Sequence, residues 1–447
     1  MSRRLLIAVA LAVFAVPGDA AAITCRYDVF VSTNFVVAVD VRCNASVRGF
    51  QFIEPIVERY TDLTFPEPGH SQRARYRVDL GRLARERNDV GTAVHAGRSI
   101  LATGGSWLLR PVADDDVAIE ARVRTAPGVD FATGVDVTDG ILRLTARGLD
   151  YVGFSTFGHL HRDRVIVPGR DGREATIDLV FLDGALSLPR ADVTAWVYER
   201  ARVMSAFWHG FPSARTLLAV VPRPGVRGIP FGRVMAGGGV SVALFIGDQA
   251  GRAALADDWV LIHELVHVGS PFLVNGAWLM EGLATYLEPV IRARAGLRPA
   301  AATWHAFHRN MPRGAAAIAD GGVAGSGFRG LYWGGAVLAL LADVDIRKAS
   351  GGARGLEDCL RDVLARIGNA SRAIDVADMI AACDQALGDD VLHRLVERYA
   401  YAANPVDLES LWRDLGVRGE NHGVILDDTA PLAWVREAII RDGPTVR

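Results

Sequence analysis

The sequence predicts an α+β multidomain chain, with a β-rich, sandwich-like N-terminal domain, a mixed middle and a helical C-terminal region. Three observations lead to this reading. Period-two and β-branched runs dominate up to about residue 186, separated by Gly, Pro and Asp clusters. After Leu188-Pro189-Arg190 the apolar spacing changes to the helical period. The chain has 447 residues, half of them hydrophobic, which is enough for two or three domains.

Residues 1–22 read as a secretory signal peptide. Arg3 and Arg4 precede an apolar run of 12 residues, Pro17-Gly18 ends it, and Ala20-Ala21-Ala22 offers small residues for cleavage. A membrane-spanning helix needs about 20 residues, so the run implies export, periplasmic or secreted, with no transmembrane helix. The β-rich domain is assigned to 23–187, with strands at 27–31, 35–41, 117–123 and 176–181. A middle domain is assigned to 188–354. It holds a capped helix at 192–207, strands at 216–221 and 240–246, and helices at 257–268, 277–295 and 331–350. The Gly- and Ala-rich stretch 312–330 shows no period and reads as loop. Residues 355–447 form the helical C-terminal region, with helices at 355–367, 390–401 and 430–440.

Four cysteines in an exported chain suggest disulfides. Cys25–Cys43 with Cys359–Cys383 is the simplest of three connectivities. Each bridge would close a loop of about 20 residues, worth roughly 3 kcal/mol in the chain-entropy model. Formal net charge is −2, so no global basic field draws nucleic acid. Lys348 is the only lysine among 49 basic residues, a compositional bias balanced by 51 acidic ones.

The strongest chemical signal is His263-Glu264-Leu265-Val266-His267. On a helix, residues i and i+4 share a face, so both imidazoles reach one metal ion and the glutamate between them can take a proton from water. Asp257 or Asp258 can cap the helix start. Fourteen residues beyond His267 lies Glu281, among Trp278, Leu279, Met280 and Leu283. A carboxylate is costly to bury unpaired in such company, and a zinc ion removes that cost. Two histidines and one glutamate leave a fourth position for water, the catalytic arrangement. Thr285 and Glu288 follow one and two turns later and are candidates to support the ligands.

The motif followed by Trp278-Leu279-Met280-Glu281-Gly282-Leu283-Ala284-Thr285-Tyr286 resembles the gluzincin zinc metallopeptidases, nearest to the glycyl aminopeptidase-type and aminopeptidase N-type groups. Tyr332-Trp333-Gly334-Gly335-Ala336, then Asp343 to Lys348, Gly351-Gly352 and Leu356-Glu357-Asp358, resemble further stretches of that family. The resemblance runs over about 192–419. It implies a thermolysin-like middle domain, Zn²⁺ as cofactor, a peptide or protein substrate, and Tyr332 as support for the oxyanion. Two departures stand out. The interval from His267 to Glu281 is short. The glycine-rich stretch before the zinc helix, Met235-Ala236-Gly237-Gly238-Gly239-Val240-Ser241, lacks the carboxylate with which such aminopeptidases hold a substrate amino group. Gly238, Gly239 and Ser241 then suggest an edge that pairs with an extended peptide. The sequence therefore supports a zinc peptidase with Glu264 as general base. The alternative is a zinc-containing, non-catalytic peptide- or protein-binding member of the same fold.

Overall fold

The computed structural model describes residues 23–63 and 71–441. The signal-peptide reading falls on residues outside that set. Within it, no helix is long and apolar enough to cross a membrane.

Three sheets are stacked. The first has seven strands and is built around Thr24–Val31, which pairs antiparallel with Val36–Val47 and parallel with Ala118–Thr125. Cys25 lies directly opposite Cys43 in that ladder, and the two are disulfide-bonded. The second sheet has four strands, in the order Asp130–Thr133, Phe154–Gly158, Ser99–Thr103, Ala93–Ala96. Its two inner strands are buried at every position. Alternation explains this: Ile100, Ala102 and Phe157 pack into the core of the first sheet, while Leu101 and Phe154 pack against the third.

The third sheet runs His161–Pro168, Glu174–Phe181, Arg215–Arg223, Val240–Gly247, Phe231–Met235. Its central pairs are parallel, and its last strand, Phe231–Met235, is antiparallel and forms an edge. Its helices cover the face away from the second sheet. Here the sequence-based boundaries shift. Residues 161–187, read as the end of the β-rich domain, supply two strands of this sheet. Residues 355–441 share one continuous core with the helices before them. The reason is packing: hydrogen-bond partners of a strand are set by tertiary pairing that a run of β-branched residues does not encode.

The helices at Arg190–Trp208, Val260–Val268, Ala277–Arg294, Trp333–Ser350, Leu356–Arg366, Val391–Tyr399 and Ala433–Arg441 fall where the periodicity puts them. The expected loop at 312–330 is largely helix. Ala300–Gly321 runs through Pro312, followed by the short helix Gly327–Leu331. The alanines at 315–317 carry strong helix propensity, and Gly314 is demanded by contact, since a Cβ there would lie 2.3 Å from the Trp333 carbonyl oxygen. Several helices were not read from the sequence, Arg252–Asp257 and Leu408–Leu415 among them. Leu80–Arg87 and Val376–Leu387 each start on an aspartate, Asp79 and Asp375, whose side chain accepts a backbone N–H of the first turn. Cys359 and Cys383 join the latter helix to Leu356–Arg366.

A buried ionic cluster ties the C-terminal helices to the centre. Asp343 accepts from the Tyr286 hydroxyl at 2.6 Å, from Arg347 Nε at 2.9 Å and from the Leu356 amide at 2.9 Å. Glu357 takes Arg347 at 3.0 Å and Arg294 at 2.9 Å. Burial raises the Asp343 carboxyl, helped by the charge of Glu357. Burial also pushes Glu357 up, but Arg294 and Arg347 prevail and bring it down to about 2. Removing one partner of such a cluster strands the others without water. Arg347→Met should therefore cost about 3–5 kcal/mol of unfolding free energy, read by urea denaturation. A loss below about 1 kcal/mol would show that the cluster does not hold these helices together.

Candidate metal centre

The helix Val260–Val268 starts on Asp258, whose two carboxylate oxygens each accept at 3.0 Å, from the Val260 and Leu261 amides. Burial lifts this carboxyl to about 6, against the pull of those two amides and of Arg292 and Arg200. Every residue of the helix is buried. His263 and His267 point their Nε2 atoms at the same place, 3.3 Å apart. Glu281 Oε2 reaches that place from the helix Ala277–Arg294, at 3.2 Å from His263 Nε2 and 3.5 Å from His267 Nε2. These three residues are the one group of potential metal donors among the described residues.

The spacing is chemically informative. Zinc binds imidazole nitrogen and carboxylate oxygen at about 2.0–2.2 Å, and tetrahedral geometry then separates the donors by about 3.3 Å. The observed separations match. Once the imidazole protons between them are gone, three lone-pair donors facing one another would repel, and a divalent cation between them turns that repulsion into binding. The donor set therefore fits Zn²⁺. Burial lowers His263. For His267 the hydrogen bond and charge of Glu281 outweigh burial and raise it. Glu281 is pushed up by burial, but its hydrogen bonds to the two histidines hold it well below the usual carboxylate range.

Glu264 stands beside the cluster, and burial lifts its carboxyl to about 7. The strand Phe231–Met235 passes directly over it: a Cβ on Gly232 would lie 2.6 Å from Glu264 Cγ. Tyr332 links the short helix Gly327–Leu331 to Trp333–Ser350, and its ring centroid lies 6.3 Å from that of His263. Burial raises its hydroxyl pKa, and the charges of Glu281 and Glu264 add to the effect. Tyr332 is brought here by an unusually close helix crossing. A Cβ on Gly282 would lie 2.3 Å from Gly335 Cα, and one on Gly335 would lie 2.1 Å from the Trp278 carbonyl oxygen. With no Cβ on either side, the helix carrying Glu281 and the helix begun by Tyr332 touch backbone to backbone.

These groups open on a cleft of about 840 Å³. Thr285 and Glu288 line it, but neither hydrogen-bonds to a ligand residue. Glu288 instead accepts from Arg292 at 3.0 Å, and burial raises it to about 7. Both residues lie on the ligand helix along the cleft wall.

The glycine-rich stretch is placed differently from the sequence expectation. Gly238, Gly239 and Ser241 do not line the cleft. The Gly238 carbonyl accepts from the Asp136 amide at 2.7 Å, Gly239 bridges Val135, and Ser241 Oγ donates to Met235 O and accepts from the Phe154 amide at 2.7 Å. They join the third sheet to the N-terminal domain. The cleft edge is instead the strand before them, Phe231–Met235, with Pro230 and Ala236. Several cleft residues carried no sequence signal. Tyr151, from the N-terminal domain, packs on Phe272 with ring centroids 4.2 Å apart and the rings tilted by 39°, and Trp259, half exposed, meets the His263 ring edge-on at 5.6 Å. Phe272 belongs to the short connection after His267, whose strand Phe272–Val274 pairs with Ala373–Asp375.

No protein-family model matches this sequence, and no curated protein matches it at a significant level. Solved structures do match in shape. An aminopeptidase N family protein from Idiomarina loihiensis superposes with a TM-score of 0.63 and 14% identity, over 88% of this chain and 78% of that one. A mutant M1 zinc metallopeptidase from Deinococcus radiodurans, bound to a Tyr-Ser-Ala substrate, gives a TM-score of 0.52 and 13% identity, over 86% of this chain and 96% of that one. At such identity the similarity is one of fold: a β-sheet domain, a mixed α/β region of zinc-peptidase type and a C-terminal set of helices.

The glycine crossing yields a test. Gly335→Ala should destabilise the chain by roughly 1–3 kcal/mol or more and reduce zinc retention, because the two helices must separate. Gly321→Ala, which meets no atom within 4 Å, should be neutral or slightly stabilising. Equal denaturation midpoints and zinc contents for the two variants would contradict this account.

Proposed function

We propose that the protein is an exported zinc-dependent peptidase. The observation that carries the reading is the meeting of three donors at tetrahedral spacing with a buried glutamate beside them, all facing an open cleft. His263 and His267 would hold the ion through Nε2 and Glu281 through a carboxylate oxygen. A zinc ion with three protein ligands lowers the pKa of water towards about 7 and polarises a carbonyl.

The chain's own residues supply the rest. An extended peptide pairs with the free edge of Phe231–Met235, which holds its scissile bond over the cluster. Glu264 takes a proton from the attacking water and passes it to the leaving amine, and its burial favours a carboxyl that both accepts and returns a proton near neutrality. The Tyr332 hydroxyl donates a hydrogen bond to the carbonyl oxygen as charge gathers there. Tyr151, Phe272 and Trp259 give apolar wall to the substrate chain. Export is supported by the apolar run at 5–16 and by two disulfides, which persist in oxidising compartments.

Glu264→Gln should keep near-stoichiometric zinc and lose roughly 10²–10⁴-fold in kcat on a mixed peptide pool followed by mass spectrometry. Parental turnover would remove Glu264 from the role of base. Tyr332→Phe should fold normally and lose about 10²–10³-fold, mainly in kcat; an effect confined to KM would contradict its place at the carbonyl oxygen. A chelator should abolish cleavage and added zinc restore it. Bound zinc without turnover of any peptide, free or N-blocked, would instead favour a non-catalytic binding protein.

A further inference from the structure

The cleft edge carries one charge that the reaction does not use. On Phe231–Met235, Gly232 faces Glu264, and the next residue, Arg233, therefore faces the other way. The register agrees: Phe231, two residues from Arg233, packs on Phe245 on that opposite face. The Arg233 head reaches towards the N-terminal domain, where a Cβ on Gly91 would lie 3.8 Å from its Nη1.

The other cleft arginines have acids. Arg292 donates to Glu288, and Arg298 stands in the field of Glu288 and Asp257. Arg233 is exposed and has no hydrogen bond or ion pair among the described residues. The nearby Asp89 accepts from the Gly91 amide at 3.2 Å through Oδ1; its Oδ2 lies 3.3 Å from the same Gly91 Cβ position without forming an ion pair to Arg233. The strand and the turn after it, through Ser241, contain no carboxylate. A cation with no hydrogen bond or ion pair among the described residues thus borders a free strand edge in the cleft.

We infer that Arg233 is a specificity-determining residue that selects peptides bearing a carboxylate side chain, Asp or Glu, at the position paired opposite it. The inference rests on the peptidase reading, because it needs a peptide on the edge of Phe231–Met235. Residues opposite each other in a ladder project to the same face, so that peptide residue brings its side chain to the guanidinium. An exposed arginine–carboxylate pair adds a few-fold in affinity and is screened by salt.

The test uses the zinc-loaded full chain and peptides in which one Gln is moved through successive positions and replaced by Glu. At one position relative to the cleaved bond, the Glu peptide should exceed its Gln twin in kcat/KM by about threefold to fivefold at low salt. The ratio should fall to about one in Arg233→Gln, and in Arg233→Glu a Lys peptide should overtake the Glu peptide. Taking ratios between twin peptides cancels any effect of Arg233 on Glu264 itself, whose carboxyl feels its charge. Equal kcat/KM for the twins at every position, or a preference that survives Arg233→Gln, would overturn the inference while leaving the peptidase reading intact. Binding of the same twins to zinc-loaded Glu264→Gln gives a readout free of turnover. Equal affinities there overturn the inference, whereas a Glu preference without turnover in the parent supports it and overturns catalysis.

Discussion

Two helices that touch backbone to backbone hold this site together. Ordinary side chains keep helix axes 8–10 Å apart. At Gly282 and Gly335 nothing intervenes, and the helix bearing Glu281 lies directly on the one that begins at Tyr332. Glu281 is one residue from the contact and Tyr332 three residues from it, so both side chains inherit its precision. The two imidazoles come from a third helix, whose first turn is pinned by Asp258. Small changes at the crossing would move one donor of three, and metal affinity falls steeply when one ligand is out of reach.

Behind the crossing lies a core of unusual polarity. Tyr286, Asp343, Arg347, Glu357 and Arg294 form a buried group, joined by hydrogen bonds and ion pairs, between the ligand helix and the helices after it. Such a group adds little net stability compared with apolar packing, yet it penalises every arrangement that leaves one member unpaired. Its geometric role is clear from its members: Tyr286 and Arg294 lie on the ligand helix, and Asp343 and Arg347 on the helix of Gly335. The pair of helices that sets the site is therefore clamped at the glycine contact and again further along.

The cleft is shared by two bodies. The stacking of three sheets buries both faces of the middle one, and this brings the N-terminal domain against the edge of the third sheet. Tyr151 enters the cleft by that route. The turn at 237–241 is spent on this contact, and its glycines follow from the closeness of the two backbones rather than from substrate. A Cβ on Gly237 would lie 2.0 Å from the Gly148 carbonyl oxygen.

Much of the site was legible because its strongest signals are local. The i, i+4 spacing of His263 and His267 puts two donors on one helix face wherever that helix lies. The apolar company of Glu281 announced a buried carboxylate in need of a partner. Period and capping residues located most helices, and two pairs of cysteines suggested the bridges that the fold contains. What remained hidden depends on distant backbone meeting backbone. Whether Gly238, Gly239 and Ser241 face a substrate or a neighbouring domain, whether residues 312–321 coil or stay loose, and which sheet claims 161–181 are settled by contacts between segments far apart in the chain. No short-range pattern records those distances. The chain's local spacing determined which atoms could bind a metal; only tertiary packing decided that they converge, and what surrounds them.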